Sequence, residues 1–153
     1  MGGRAQPLVD ARRGRVGAAL SEGYSGTPLA RKLGIAEGGT FAVVSDPGHA
    51  DDLVAPLPAG ARRVADPARA DVVVWFTTER LDLEARIEAL GAAVFPDRML
   101  WIAWPKRASK VPTDVTEDVV REVALPLGLV DTKVAAVDAT WSGLRLVWRR
   151  ERR

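Results

Sequence analysis

Apolar residues recur with two periods along this chain, and the changes from one period to the other mark out its elements. Residues 41–45 and 71–77 are short, nearly unbroken apolar runs, the second reading DVVVWFT, as expected of strands covered on both faces. Residues 99–104 form a third such run. Between the second and third, Leu81, Leu83, Ile87, Leu90 and Val94 return at helical spacing behind Thr78, which is placed as an N-cap. Gly91 weakens that helix near its end. A second long helix is predicted over 115–127, with Val115, Val119, Val120, Val123, Ala124 and Leu127 on its apolar face and Gly128 as its stop. Asp114 and Glu117 have the spacing of a capping box before it.

Shorter signals fill the gaps. Thr27 and Pro28 fit the N-cap and first turn of a helix over 28–33 that Gly34 ends. A short helix over 50–55 stops at Pro56, and residues 62–65 read as a short edge strand. The last part alternates differently: strands over 130–138 and 143–148 flank a short turn, with Leu144, Leu146 and Trp148 on one face and Arg145, Val147 and Arg149 on the other. Strand and helix in turn, closed by a hairpin, predict an α/β chain with an open, mostly parallel Rossmann-like sheet ending in an antiparallel β-hairpin. The order resembles a shortened form of the fold of S-adenosylmethionine-dependent methyltransferases. One domain over 23–149 is expected, with a flexible basic arm over 1–22 and a basic tail over 150–153.

Composition narrows the chemistry. There is no cysteine and a single histidine, His49. Disulfides, thiolate nucleophiles, zinc ribbons and iron-sulfur clusters are excluded, and no histidine pair exists for a metal or a relay. No apolar run approaches a membrane span or the core of a signal peptide, so a cytoplasmic location is expected. The formal charge of +2 hides an asymmetry. Arg4, Arg12, Arg13 and Arg15 crowd one end and Arg149, Arg150, Arg152 and Arg153 the other, so the body between them is mildly acidic. Such ends act first as solubilising segments and second as weak, sequence-independent contacts for nucleic acid.

Ligands in an open α/β sheet sit beyond the carboxyl ends of the strands. There this sequence sets Ser45, Asp46, Asp66, Thr77, Thr78, Trp104, Lys106, Ser109, Thr113, Asp114 and Asp138, with Trp141 following. The Gly23-Tyr24-Ser25-Gly26 turn is expected at the same edge, which adds Tyr24, Ser25 and Thr27. Tyr24, Trp104 and Trp141 would be its aromatic walls, and Lys106, flanked by Arg107 and Lys110, its anion-holding cation. A salt bridge from Lys106 to Asp114, Asp138 or Asp46 is the structural alternative. Trp75 and Trp101, inside strands, are expected in the core. The loop after the first strand, SDPGHADD, lacks the glycines that let a backbone approach a phosphate, and its paired aspartates repel one. No Gly-x-Ser-x-Gly elbow supports a serine hydrolase.

The segments GYSGTPLARKLGI, LWIAWPKRASKVPTD, TEDVVREVALPLGLVD and DATWSGLRLV together resemble an actinobacterial family designated only as domain of unknown function 3052. That resemblance covers about Tyr24 to Arg149. It implies a stand-alone cytosolic protein, with no established activity and no catalytic residues to carry across. The readings, in order, are three. The first is a non-catalytic module without metal or cofactor, binding a small anionic ligand or a protein partner at the sheet edge as monomer or homodimer. The second is a reduced methyltransferase-like enzyme, with S-adenosylmethionine the one cofactor left open. The third is weak nucleic-acid contact through the arginine-rich ends.

Overall fold

The computed structural model describes residues 26–153. The helices and strands, in chain order, are α1 Leu29–Leu33, β1 Thr40–Val44, α2 Ala50–Val54, β2 Arg62–Arg63, β3 Val72–Phe76, α3 Arg80–Val94, β4 Met99–Pro105, α4 Glu117–Ala124, β5 Leu129–Ala136 and β6 Trp141–Trp148. The strands form one sheet in the order β2-β1-β3-β4-β6-β5. β1 pairs in parallel with β2 and β3, and β3 with β4, while β6 runs antiparallel to both β4 and β5. This is the doubly wound order with an outer strand missing and the final strand tucked in reversed. The mostly parallel sheet and terminal hairpin expected from the sequence are present.

Side chains along β3 and β4 alternate between two cores, which is why both strands read as unbroken apolar runs. Val73 and Trp75, with Leu100, Ile102 and Trp104, pack under α3 and α4 against Leu83, Ile87, Val120, Leu144 and Leu146. Val72, Val74 and Phe76, with Trp101 and Ala103, pack on the other face with α1, α2 and Trp141. Trp75 and Trp101 are fully buried, as expected. The Trp101 indole donates from Nε1 to the Leu33 carbonyl at 2.8 Å, which ties α1 to the sheet.

Several boundaries differ from expectation for local reasons. α1 starts at Leu29, so Pro28 and not Thr27 holds the cap position, without a side-chain bond. Gly34, at φ 93°, ends it as expected, with the Ile35 N–H on the Ala30 carbonyl at 2.9 Å. α3 starts two residues after Thr78, and its first turn is capped from outside: Asp114 Oδ1 accepts from the Arg80 N–H at 2.7 Å. Asp114 is therefore not the cap of α4. That role belongs to Thr116, whose hydroxyl accepts from the Val119 N–H at 3.2 Å. Leu81, expected on the apolar face of α3, is 76% exposed. Gly91 is buried, and a Cβ there would lie 3.4 Å from both Leu129 and Trp148. It lets the hairpin approach α3, where Trp148 Nε1 donates to the Gly91 carbonyl.

Candidate functional site

The chain leaves β1 toward β2 on one side, and leaves β3 toward β4 on the other. The crevice between the carboxyl ends of β1 and β3 is thus the topological switch point of the sheet. A cleft of about 350 Å³ opens there, lined by Ser45, Phe76, Thr77, Thr78, Glu79, Asp82, Arg86 and Trp141. Asp82 and Arg86 are one helical turn apart on α3 and pair at 3.1 Å, and Arg86 also donates to Ser45 Oγ at 3.1 Å. The same guanidinium lies over the Trp75 ring, 5.7 Å from its centroid. Thr77, buried at 4% exposure, donates to Asp82 Oδ2 at 2.7 Å. Ser45 adopts φ 56°, unusual for a residue with a side chain.

Beside that cleft, the loop after β1 closes on itself. Asp46 Oδ1 accepts from the N–H groups of Gly48 and Ala50 at 2.7 and 3.2 Å, and Oδ2 pairs with Arg63 at 3.2 Å. Burial acts to raise the Asp46 carboxyl, but these amide bonds and Arg63 outweigh it and hold the group below its ordinary value. In a ligand-binding loop of this fold, amides at that helix start would face the ligand; here a side chain of the protein takes them. Asp66, further along, accepts from the Ala68 N–H and caps a short turn.

The turn between β5 and β6 reaches over the same edge. Asp138 Oδ1 accepts from the Thr140 and Trp141 N–H groups at 2.8 and 2.7 Å, and Oδ2 meets His49 Nε2 at 3.3 Å. The Lys106 N–H donates to the Thr140 carbonyl at 2.7 Å. Trp141 is 9% exposed and packs edge-on against Phe76, ring centroids 5.0 Å apart. Asp46, Asp138, Trp141 and the Lys106 backbone are therefore neighbours at one edge, as the topology predicted. Trp104 is not on the same side as Trp141: the two belong to cores on opposite faces of the sheet, because they alternate into different layers. They do not form facing walls.

Trp104 instead backs a second cleft, of about 430 Å³, with Pro105, Arg107, Lys110, Val111, Pro112, Thr113, Val115 and Thr116. Its loop is held firmly. Ser109 Oγ donates to the Lys106 carbonyl and accepts from the Val111 N–H, and Lys110 turns the chain at φ 66°. Thr113 Oγ1 donates to the Thr78 carbonyl at 2.7 Å and accepts from the Val115 N–H, so both Ser109 and Thr113 spend their hydroxyls on shaping the loop. Among the described residues, none of Lys106, Arg107 and Lys110 forms an ion pair, so the expected bridge from Lys106 to Asp46, Asp114 or Asp138 is absent. The cations lining the cleft are Arg107 and Lys110, the flanking residues rather than the one singled out.

Thr27 lies before α1, and Tyr24, Ser25 and the arm over 1–22 lie outside the described residues. The basic C-terminal residues make a short turn, Arg150–Arg152, beyond the end of β6 and so at the amino edge, opposite the clefts. A hollow of about 420 Å³ between α1 and Pro56, Leu57 and Pro58, with Arg31 and Glu37 in its lining, also lies toward that edge. Arg86 escaped the sequence reading because one arginine on a solvated helix face carries no signal; its spacing from Asp82 was the only available clue. Among the described residues, no group of histidine, aspartate and glutamate side chains has the arrangement of a metal site, and no helix is long and apolar enough to cross a membrane.

No protein-family model matches the chain, and no curated protein matches it. Solved structures do. TrmN from Thermus thermophilus superposes with a TM-score of 0.52 at 11% identity, over 79% of this chain and 47% of that one. The B. subtilis M1A22 tRNA methyltransferase TrmK gives a TM-score of 0.47 at 9% identity, over 84% of this chain and 68% of that one. The chain thus spans about half the length of TrmN. What the likeness to TrmN establishes is the architecture alone, an open, Rossmann-like α/β sheet.

Proposed function

We propose that this chain is a non-catalytic, cytosolic Rossmann-like module of the kind its motifs resemble, domain of unknown function 3052, and that it holds a small anionic ligand in the cleft between β4 and α4. One observation carries the reading. The cleft is lined by Arg107, Lys110, Trp104 and two threonines and, among the described residues, by no carboxylate. Two unpaired cations on a shaped loop favour an anion, because its charge-assisted bonds replace no existing ion pair. The non-catalytic part rests on Asp46, which occupies the helix-start amides that a cofactor of this fold would approach. The test is calorimetry with inorganic phosphate and citrate at low ionic strength. Wild-type protein binds at least one of them, and the double variant Arg107→Ser, Lys110→Ser loses at least tenfold in affinity; equal affinity in the double variant contradicts the assignment.

A second reading, a reduced methyltransferase-like enzyme, is favoured by the strand order and by the switch-point cleft. If that cleft took S-adenosylmethionine, the donor would lie between Ser45 and Trp141, and the Asp46 loop would have to open. Heat on titrating S-adenosylmethionine to millimolar concentration supports this reading, and its absence removes it.

A further inference from the structure

We propose that the partner served by the β4–α4 cleft is a short acidic segment of another protein, which sets carboxylates on Arg107 and Lys110 and an apolar side chain against Trp104, Val111 and Pro112. This rests on the anion-site reading above and names the source of the anion. A free metabolite would use the cations alone, but the surroundings of the cleft are apolar as well. Val111, in its lining, is 39% exposed, and Pro105 and Pro112 line it too.

The loop is bonded to the start of α3. The Thr113 hydroxyl and the Asp114 N–H both reach the Thr78 carbonyl, and the Arg80 N–H reaches Asp114. Val111, exposed on a loop whose cations Arg107 and Lys110 have no ion pair among the described residues, fits the pattern of an interface with an apolar contact and a charged rim. The fixed loop also lowers the cost of binding, since little ordering remains to be done. A volume of about 430 Å³ accommodates one or two side chains, which fits a linear segment better than a folded surface. Locally, Arg107 and Lys110 complement the carboxylates of an acidic segment.

The experiment is fluorescence anisotropy of the full chain with three labelled probes of equal charge. One is a peptide of about twelve residues alternating Glu with Leu and Phe, the second has Ser in place of every apolar residue, and the third is an oligouridylate. The apolar peptide is expected to bind at least tenfold more tightly than the other two. Val111→Ser should remove that margin, and Arg107→Ser with Lys110→Ser should abolish peptide binding altogether. Near-ultraviolet circular dichroism confirms that each variant is folded. Equal affinity for the two peptides, or tighter binding of the oligouridylate, overturns the proposal. Citrate binding with no peptide binding overturns it while leaving the anion site standing, and failure of citrate and peptides alike overturns both.

Discussion

The His49 imidazole meets the Asp138 carboxylate, Nε2 to Oδ2 at 3.3 Å, and so ties the loop after β1 to the turn between β5 and β6 across the ends of β3 and β4. Both side chains are partly exposed, 41% and 23%, so the contact contributes little to global stability, about 0–1 kcal/mol. Its effect is local. His49→Ala should leave the unfolding midpoint almost unchanged while hydrogen exchange at the Thr140 and Trp141 amides speeds up. A large loss of global stability without faster exchange at those amides would show that the tie does something else.

Asp46 makes stability depend on pH at the acid end. Its folded carboxyl lies below the ordinary value, because the Gly48 and Ala50 amides and Arg63 outweigh the opposing effect of burial. The stabilisation is therefore present above the unfolded value of about 3.9 and disappears as pH falls through the lower folded value. Asp46→Asn should cost about 1 kcal/mol at pH 7, the difference between charge-assisted and neutral hydrogen bonds to the Gly48 and Ala50 amides and Arg63. The difference between variant and wild type should shrink toward zero at the lowest pH where the wild type still folds. Urea midpoints across that range check it, and a difference independent of pH contradicts the assignment.

The two caps around the Lys106 loop can be told apart by substitution. Thr116→Ala removes the hydroxyl that accepts from Val119 and should cost about 1 kcal/mol in unfolding free energy. Asp114→Ala should cost a similar amount, but its loosening should appear in exchange at the first turn of α3, where the Arg80 amide loses its acceptor. Loosening of α4 instead would restore the capping box read from the sequence.

Gly34 combines a left-handed backbone with close packing. It holds φ 93°, and a Cβ there would lie 2.8 Å from Met99 Cε. Gly34→Ala should destabilise by about 1–2 kcal/mol from the backbone alone. The Met99 tip can move aside, so adding Met99→Ala should recover little; a full recovery would assign the cost to the clash.

These caps show what a sequence exposes and what it hides. Runs such as Val72 to Phe76 were legible because every residue is buried and alternation merely shares them between two cores. Asp114 misled because a carboxylate three residues before Glu117 fits the next helix equally well, and only the folded chain brings the Arg80 amide to it. Leu81 matched helical spacing, yet it lies about 200° around the helix from Leu83, and Leu83 is the one that faces the sheet. The shared edge of Asp46, Asp138 and Trp141 followed from topology. Which face each tryptophan takes depends on strand register, and that separated Trp104 from Trp141. Tyr24 and Ser25 fall outside the described residues.

The most direct test of the anion cleft is a set of amide nuclear magnetic resonance titrations, with citrate and with S-adenosylmethionine separately. If the cleft between β4 and α4 is the site, citrate shifts cluster between Trp104 and Thr116 and vanish in the Arg107→Ser, Lys110→Ser variant, while S-adenosylmethionine leaves the amides of the Asp46 loop unmoved. Shifts from S-adenosylmethionine centred on Ser45 to Ala50, with none from citrate near Lys110, would contradict it.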